Sequence, residues 1–411
     1  MLIYIFVLLL LLFGLWGNLS LLQFCYILFS GYTIVYTLYT YKYVRNVPLS
    51  NTPKKYIVLF LYISLAYFIV SYINLPQFWN IKILDFDKGF IIRHFFVVYS
   101  LFISISIAIS ICNKNILLSI SNKILYILLC ICIIGVKVGD YSHILVAFGI
   151  QTLTLIILRT KNKILLILVP MFFWGNNSTY AISACWIIIC TLFSKQFINF
   201  FKKHIVFKII LLVIIFVSIC LIFSSFIYTK IEGDTNALWR LMVWSDEIRT
   251  FIKTHGMGVG FGSAYVSNEI FYYIENSHMY DGDGAMFLVA NHNSILNIFY
   301  RLGIIGGGVF CMIIISTLTW FSRIYNNVIT SREACKYLIW ALINWLYNLI
   351  VICLNPGLES PRFATSYLFS LGCIWGLLLY YQKEIQLKYR KIPNSSKTNE
   401  TINYSRCKEW D

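Results

Sequence analysis

Three short constellations in the second half of the chain combine residue types that can handle a phosphorylated ligand. Arg240 and Trp244 stand four residues apart, with Arg249 following. The stretch Gly256-Met257-Gly258-Val259-Gly260-Phe261-Gly262 alternates glycine with apolar residues. Such a run lets the backbone come close to a ligand and can present N–H groups to an anion. His292 and Asn293 come next, with Gly303 and Gly306 beyond them. A guanidinium fork suits a diphosphate, so Arg240 and Arg249 can grip one; alternatively both pair with Asp246 and Glu247 on a solvated helix face. His292 can act as a general acid or base, or serve structure alone. The glycine run neither follows a strand nor fits a dinucleotide fingerprint. No His, Asp or Glu cluster has metal-ligand spacing, so neither a metal nor another cofactor is expected.

The elements that must position these residues lie in lipid. Of 411 residues, 59% are hydrophobic and only 12% charged, with a mean hydropathy of +0.75. Soluble domains carry about 25% charged residues. The net charge of +16 is scattered between apolar runs instead of gathered on one face, which argues against nucleic acid and for topology signals. Apolar runs occur at 2–16, 19–39, 56–74, 89–111, 124–138, 141–158, 163–175, 178–194, 204–227, 293–320, 337–354 and 363–381. The expectation is an all-α, polytopic membrane bundle of about twelve transmembrane helices. The first run lacks a basic leader and a small-residue cleavage site, and reads as an anchor. The seventh contains Pro170, tolerable where neighbouring helices satisfy freed backbone groups. None of the twelve cysteines falls between 228 and 291, and no disulfide is expected.

Loop charges orient the bundle. Lys42, Arg45, Lys54 and Lys55; Lys114 and Lys123; Arg159, Lys161 and Lys163; Lys195, Lys202 and Lys203; and Arg323, Arg332 and Lys336 mark one side as cytoplasmic. Both termini then face the cytoplasm, and residues 228–291 form a large extracytoplasmic loop. That loop carries four bases against eight acids, a formal charge of −4. Within it, Leu238, Leu241, Ile248 and Phe251 stand against Arg240, Asp246, Glu247 and Arg249, the pattern of an amphipathic helix near the membrane. One or two short helices are expected there. Residues 1–227 thus hold nine spans, 228–291 the loop, 292–381 three more spans, and 382–411 a cytoplasmic, disordered tail. Arg93 and His94, Asp140 and His143, Arg301, and Glu359 with Arg362 all fall near external helix ends, close to the loop. Charged residues kept there are either functional or snorkel to the interface.

The arrangement resembles the bacterial O-antigen polymerases (Wzy) and O-antigen ligases. In that family a polytopic bundle carries a large periplasmic loop with an Arg-x-x-x-Trp helix, a Gly-x-Gly turn, then His-Asn, nine residues and Gly-x-x-Gly. Arg240 with Trp244, Gly258 with Gly260, and His292-Asn293 with Gly303 and Gly306 supply these in turn. Arg249 and Gly260, ten residues between them, also resemble an Arg–Gly pattern of polymerase loops. Two features depart: where the family places a Ser-Arg pair in a middle span, residues 177–180 read Asn-Ser-Thr-Tyr, and where it has an acidic residue before the final glycines, Arg301 stands.

The resemblance implies a metal-independent membrane glycosyltransferase of the bacterial inner membrane. Its donor would be an undecaprenyl-diphosphate-linked oligosaccharide, with a chain-length regulator and a flippase as partners. Arg240, helped by Arg249 or Arg93, would hold the diphosphate; His292 would act on the acceptor hydroxyl; Asn293 would orient the sugar or the imidazole. Gly258 and Gly260 would let the loop backbone lie against the lipid head, with Trp244 and Arg301 in the binding region. Arg301 would supply positive charge beside His292 or pair with Glu359. Tyr265, Tyr272, Tyr273 and Tyr280 would stack on sugars or anchor at the interface. The reading favours a polymerase over a ligase. A flippase or transporter is the rival class, disfavoured because it calls for paired halves and mid-membrane charges.

Overall fold

The computed structural model describes residues 51–73, 86–99, 101–114, 120–138, 142–172, 235–276, 293–328, 330–354, 358 and 361–390. The expected spans at 2–16, 19–39, 178–194 and 204–227 lie outside these residues, as does His292. Within them the chain is helical, with one isolated antiparallel bridge between Phe86 and Ser263. In order the helices are α1 (Asn51–Tyr72), α2 (Ile91–His94), α3 (Phe96–Tyr99), α4 (Leu101–Lys114), α5 (Asn122–Val138), α6 (Ser142–Thr160), α7 (Thr235–Lys253), α8 (Asn268–Asn276), α9 (Ser294–Val328), α10 (Arg332–Leu354) and α11 (Pro361–Arg390). Among the described residues, three are long and apolar enough to cross a membrane: Pro53–Tyr72, Ser294–Val328 and Glu333–Cys353. Side-chain caps start several of them: the hydroxyls of Ser121 and Ser331 and the amide oxygen of Asn293 accept from the N–H of Ile124, Ala334 and Leu296, respectively.

The core sits where α11 lies along α4. Gly372 and Gly376, one helical turn apart, let the backbones touch. A Cβ on Gly376 would fall 2.7 Å from the Ile111 Cβ, and one on Gly372 would fall 2.6 Å from the Ile107 Cβ. Close approach of this kind replaces the hydrophobic drive that lipid removes from helix association. The Ser104 hydroxyl donates to the Leu368 carbonyl across the same contact. Between α6, α10 and α11 a polar seam is buried: the Trp340 indole donates to the Gln151 carbonyl, Asn344 donates to Thr154, and Ser366 donates to Asn348. On the outside, Tyr62, Leu65 and Ile69 of α1, Ile127 and Ile134 of α5, and Ile164 and Ile167 are exposed, an apolar surface for lipid.

Three spans differ from their expected form. The run at 89–111 is broken into a 3-10 turn (Lys88–Phe90), α2, α3 and α4, because the break turns His94 and Phe95 toward the large loop. The run at 163–175 is a ten-residue 3-10 helix, Lys163–Phe172, containing Pro170. At about 2.0 Å per residue it reaches well short of a full bilayer core. The last helix does not stop at 381 but continues to Arg390, so the tail placed at 382–411 begins as helix. Gln382 is buried there, accepting from the Trp320 indole at 2.9 Å.

Replacing Gly376 with Leu should overpack the α4–α11 contact and lower stability by about 1–3 kcal/mol. Gly308 has open space around its Cβ position, so Gly308→Ala should be neutral or slightly stabilising. Thermal unfolding of the two purified variants in detergent compares them; a Gly376→Leu midpoint equal to wild type contradicts this packing.

Candidate functional site

The large loop is fastened to the membrane helices at a break in α9. Asn293 caps the helix, nine residues (294–302) follow, and at Gly303 the backbone leaves helical geometry at φ 67°, ψ −172°. Only glycine adopts this conformation readily. The interruption frees carbonyls that the helix ladder would use, and the glycine run takes them. Val259 N–H donates to the Tyr300 carbonyl at 2.8 Å, and Gly260 N–H donates to the Arg301 carbonyl at 2.9 Å. In return Ile304 N–H donates to the Gly256 carbonyl at 2.8 Å. Broken backbone in a membrane helix is thereby satisfied by protein. The contact leaves no room for side chains. A Cβ on Gly258 would lie 2.5 Å from the Gly303 nitrogen, and one on Gly303 would lie 2.5 Å from the Met257 carbonyl oxygen.

The rest of the run threads between α1 and α2. Gly256, Gly258, Gly260 and Gly262 all have positive φ, from 74° to 88°. The Tyr67 hydroxyl donates to the Met257 carbonyl. Phe261 N–H donates to the Ser71 hydroxyl at 2.8 Å, and Gly262 N–H donates to His94 Nδ1 at 3.1 Å. His94 therefore accepts at Nδ1, which places its proton on Nε2. Its ring stands edge-on to Tyr265 at 5.1 Å. The expectation that the run offers N–H groups to an anion is corrected here. The amides of Gly256, Met257, Val259, Gly260, Phe261 and Gly262 all donate within the protein. Gly258 serves backbone-to-backbone approach to Arg301 and Gly303, whereas a Cβ on Gly260 would meet the Ser71 hydroxyl at 2.6 Å and one on Gly262 the Ile91 and Phe86 side chains at 2.8 Å.

Arg301 closes the joint from beneath. It is 1% exposed, and its Nη1 donates to the Gly260 and Ser263 carbonyls at 3.2 and 2.6 Å. Its guanidinium lies 4.3 Å from the Tyr265 ring centre and 5.4 Å from that of Tyr300. A buried cation must recover several kcal/mol of lost hydration; two carbonyls and two aromatic faces do part of that. Asp246 and Glu247 lie, with Arg301, in electrostatic reach of the Tyr300 hydroxyl, which itself donates to the Ala264 carbonyl. Arg301 thus faces the loop it holds. Tyr265 is buried beneath it, whereas Tyr272 and Tyr273 of α8 are exposed. Glu359 and Tyr280 lie outside the described residues.

The expected helix is present as α7, but three residues depart from the expected faces. Asp246 and Glu247 are buried, while Ile248 is 47% exposed. The Asp246 carboxylate accepts from Ser267 N–H at 2.6 Å, pinning the chain beyond the glycine run onto α7. Trp239 and Val243 of α7 and Val266 form a small core, with Ile270 and Phe271 of α8 against it. For Asp246, the tertiary partner Ser267 outweighs the local pattern. The two acids are therefore not on a solvated face. Arg240 is half-buried, its guanidinium 5.7 Å from the Trp239 ring centre; Trp244 is also half-buried and Arg249 exposed.

The structure therefore brings together Gly258, Gly260, Gly303 and Arg301, and hangs the Arg240–Trp244 helix from the same joint. Asn293 is at the cap, with its side-chain oxygen spent on Leu296 N–H at 3.0 Å. Arg93 is on α2, the helix whose last residue, His94, meets the run. Tyr67, Ser71, Ser263 and Tyr300 complete the joint and escaped sequence reasoning, since single hydroxyls in apolar runs carry no spacing signal. Among the described residues no group of three His, Cys, Asp or Glu side chains is placed to hold a metal.

Gly303→Ala and Gly258→Ala should each undock the loop, since positive φ and a contact near 2.5 Å must both be relieved. The cost is roughly 2–5 kcal/mol. Limited proteolysis of membrane vesicles reads it as faster cleavage within residues 254–267; wild-type cleavage rates in both variants contradict the lock.

A search of curated proteins finds no match. Residues 163–311 match the Wzy_C family model, described as O-antigen ligase, a stretch that includes α7, the glycine run and the joint with α9. That match supports the resemblance to the O-antigen polymerase and ligase family over residues 163–311.

Proposed function

We propose that the protein is an O-antigen polymerase, moving a growing glycan from undecaprenyl diphosphate onto a lipid-linked repeat unit at the periplasmic face of the inner membrane. The observation that carries this reading is the joint itself. It ties the helix bearing Arg240 and Trp244 to the helix that begins directly after His292 and Asn293, inside the matched stretch. In the proposed step the acceptor hydroxyl attacks the anomeric carbon of the donor sugar and gives its proton to His292. The glycosidic bond to the diphosphate breaks, and undecaprenyl diphosphate leaves with the electron pair. Arg240, with Arg93 near the joint, stabilises the charge that grows on that leaving group, the electrostatic role that usually dominates such transfers. Asn293 caps the start of α9. Energy comes from the diphosphate linkage, and neither a metal nor a nucleotide takes part.

The second reading is an O-antigen ligase that transfers glycan to lipid A core; the matched family's description names a ligase, and the match does not distinguish the two. The two differ only in acceptor. The test is the lipopolysaccharide ladder of a deletion strain complemented with wild type, His292→Ala or Arg240→Ala at equal membrane expression. Loss of a general base costs about 10²–10⁴ in rate, so the ladder should collapse to core carrying one repeat unit. Bare core with polymer accumulating on the lipid carrier identifies a ligase; an unchanged ladder in both variants overturns the site.

A further inference from the structure

The face that α7 turns outward has one chemistry. Ser245, Ile248, Arg249, Ile252 and Lys253 are exposed, at the i, i+3, i+4, i+7, i+8 spacing of a single helical stripe. The acids of this part of the helix, Asp246 and Glu247, are on the buried side. The stripe is therefore apolar and cationic, without a carboxylate. Ile252 is 66% exposed, a large apolar side chain left outward although the helix has a core of its own to pack.

The stripe also adjoins an exposed apolar part of α9. At the end of α7, Gly256 accepts from Ile304 N–H, and a Cβ on Gly256 would lie 3.9 Å from the Ile304 Cβ. Met257 beside it is exposed, and Ile304 and Ile305 are each 62% exposed on a helix long and apolar enough to span a bilayer. From Ile305 through Ile304 and Met257 to Ile252 and Ile248, the outward side chains form one apolar path from the span onto α7, with Arg249 and Lys253 along it.

We infer that α7 lies on the loop-side surface of the bilayer, with Ile248, Ile252 and Met257 sunk among acyl chains and Arg249 and Lys253 set against the phosphates of acidic phospholipids. Two arguments select this occupant. The apolar path is continuous with the exposed apolar surface of α9, and the cations complement an anionic headgroup layer. Arg249 is then a headgroup contact, and the grip on a substrate diphosphate falls to Arg240 on the half-buried part of the helix. Because the glycine joint couples α7 to α9, lipid contact along the stripe sets the depth at which Arg240 is held.

The test uses the full-length protein in bilayers containing acidic phospholipid. An environment-sensitive thiol fluorophore is placed at Ile252→Cys, with Ile248→Cys as a second site and Glu269→Cys on exposed α8 as the aqueous comparison. The loop has no native cysteine, and wild type labelled in parallel is subtracted as background. Spin-labelled lipids with the nitroxide near the headgroup should quench the probes at 252 and 248 about tenfold more than that at 269, with aqueous iodide showing the reverse order. Adding Arg249→Glu and Lys253→Glu should weaken lipid quenching at 252 several-fold. Iodide quenching at 252 equal to that at 269 places the stripe in water and overturns the inference. Quenching by neither agent means that protein covers the face, and overturns it as well. Lipid quenching insensitive to charge reversal overturns the headgroup contact.

Discussion

At two positions the backbones of the glycine run and α9 meet from the side on which a Cβ would stand, and the joint between them rests on that constraint. Gly258 and Gly303 meet where any Cβ would lie 2.5 Å from a backbone atom. The break at Gly303 would be costly in lipid, because it leaves carbonyls without their helical donors. The loop supplies those donors from Val259 and Gly260 and takes one back from Ile304. Neither partner is stable in this form alone: the helix break requires the loop, and the alternating positive φ of the run requires the helix. The interaction is mutual, and it ties the loop to a helix long and apolar enough to cross a membrane.

Other features arrange themselves around this joint. The run at 89–111 gives up helical continuity so that His94 and Phe95 reach Gly262 and Phe261. Tyr67 and Ser71 of α1 spend their hydroxyls on the loop backbone. Arg301 accepts burial because the loop carbonyls of Gly260 and Ser263 and the rings of Tyr265 and Tyr300 surround it. Where the family places an acidic residue, a cation here reaches carbonyl oxygens that an acid would repel. The departure is thus compatible with a loop held by its own backbone acceptors. Deeper in the bundle, the Gly372–Gly376 contact and the Asn344–Thr154 seam hold α4, α6, α10 and α11 by close packing and internal hydrogen bonds. That frame gives the joint something rigid to be attached to.

Membrane character was legible in the apolar runs, and so was the presence of a helix around Arg240 and Trp244, because period and composition are local properties. The starts of the runs near 56, 124, 141, 293 and 337 lie within a few residues of α1, α5, α6, α9 and α10. The nine residues between Asn293 and Gly303 gain a physical meaning: they are the helical stretch between a cap and a break. The importance of the glycine run was legible too, although its use was not. Spacing reveals that glycines are required; whether they admit a ligand or another backbone depends on what arrives from elsewhere in the chain.

By itself the sequence determined where lipid-compatible helices can form, which segments carry the motif residues, and which family the chain resembles, since each follows from residue type and short-range order. Only the tertiary structure decided that the loop amides are spent inside the protein, that Arg301 is a buried clamp, and that α7 buries its acids while exposing Ile248 and Ile252. All three are settled by contacts between residues tens to hundreds of positions apart, such as Tyr67 with Met257 or Asp246 with Ser267. Helical periodicity reports that a helix has two faces. Which face turns inward is set by the partners that wait there.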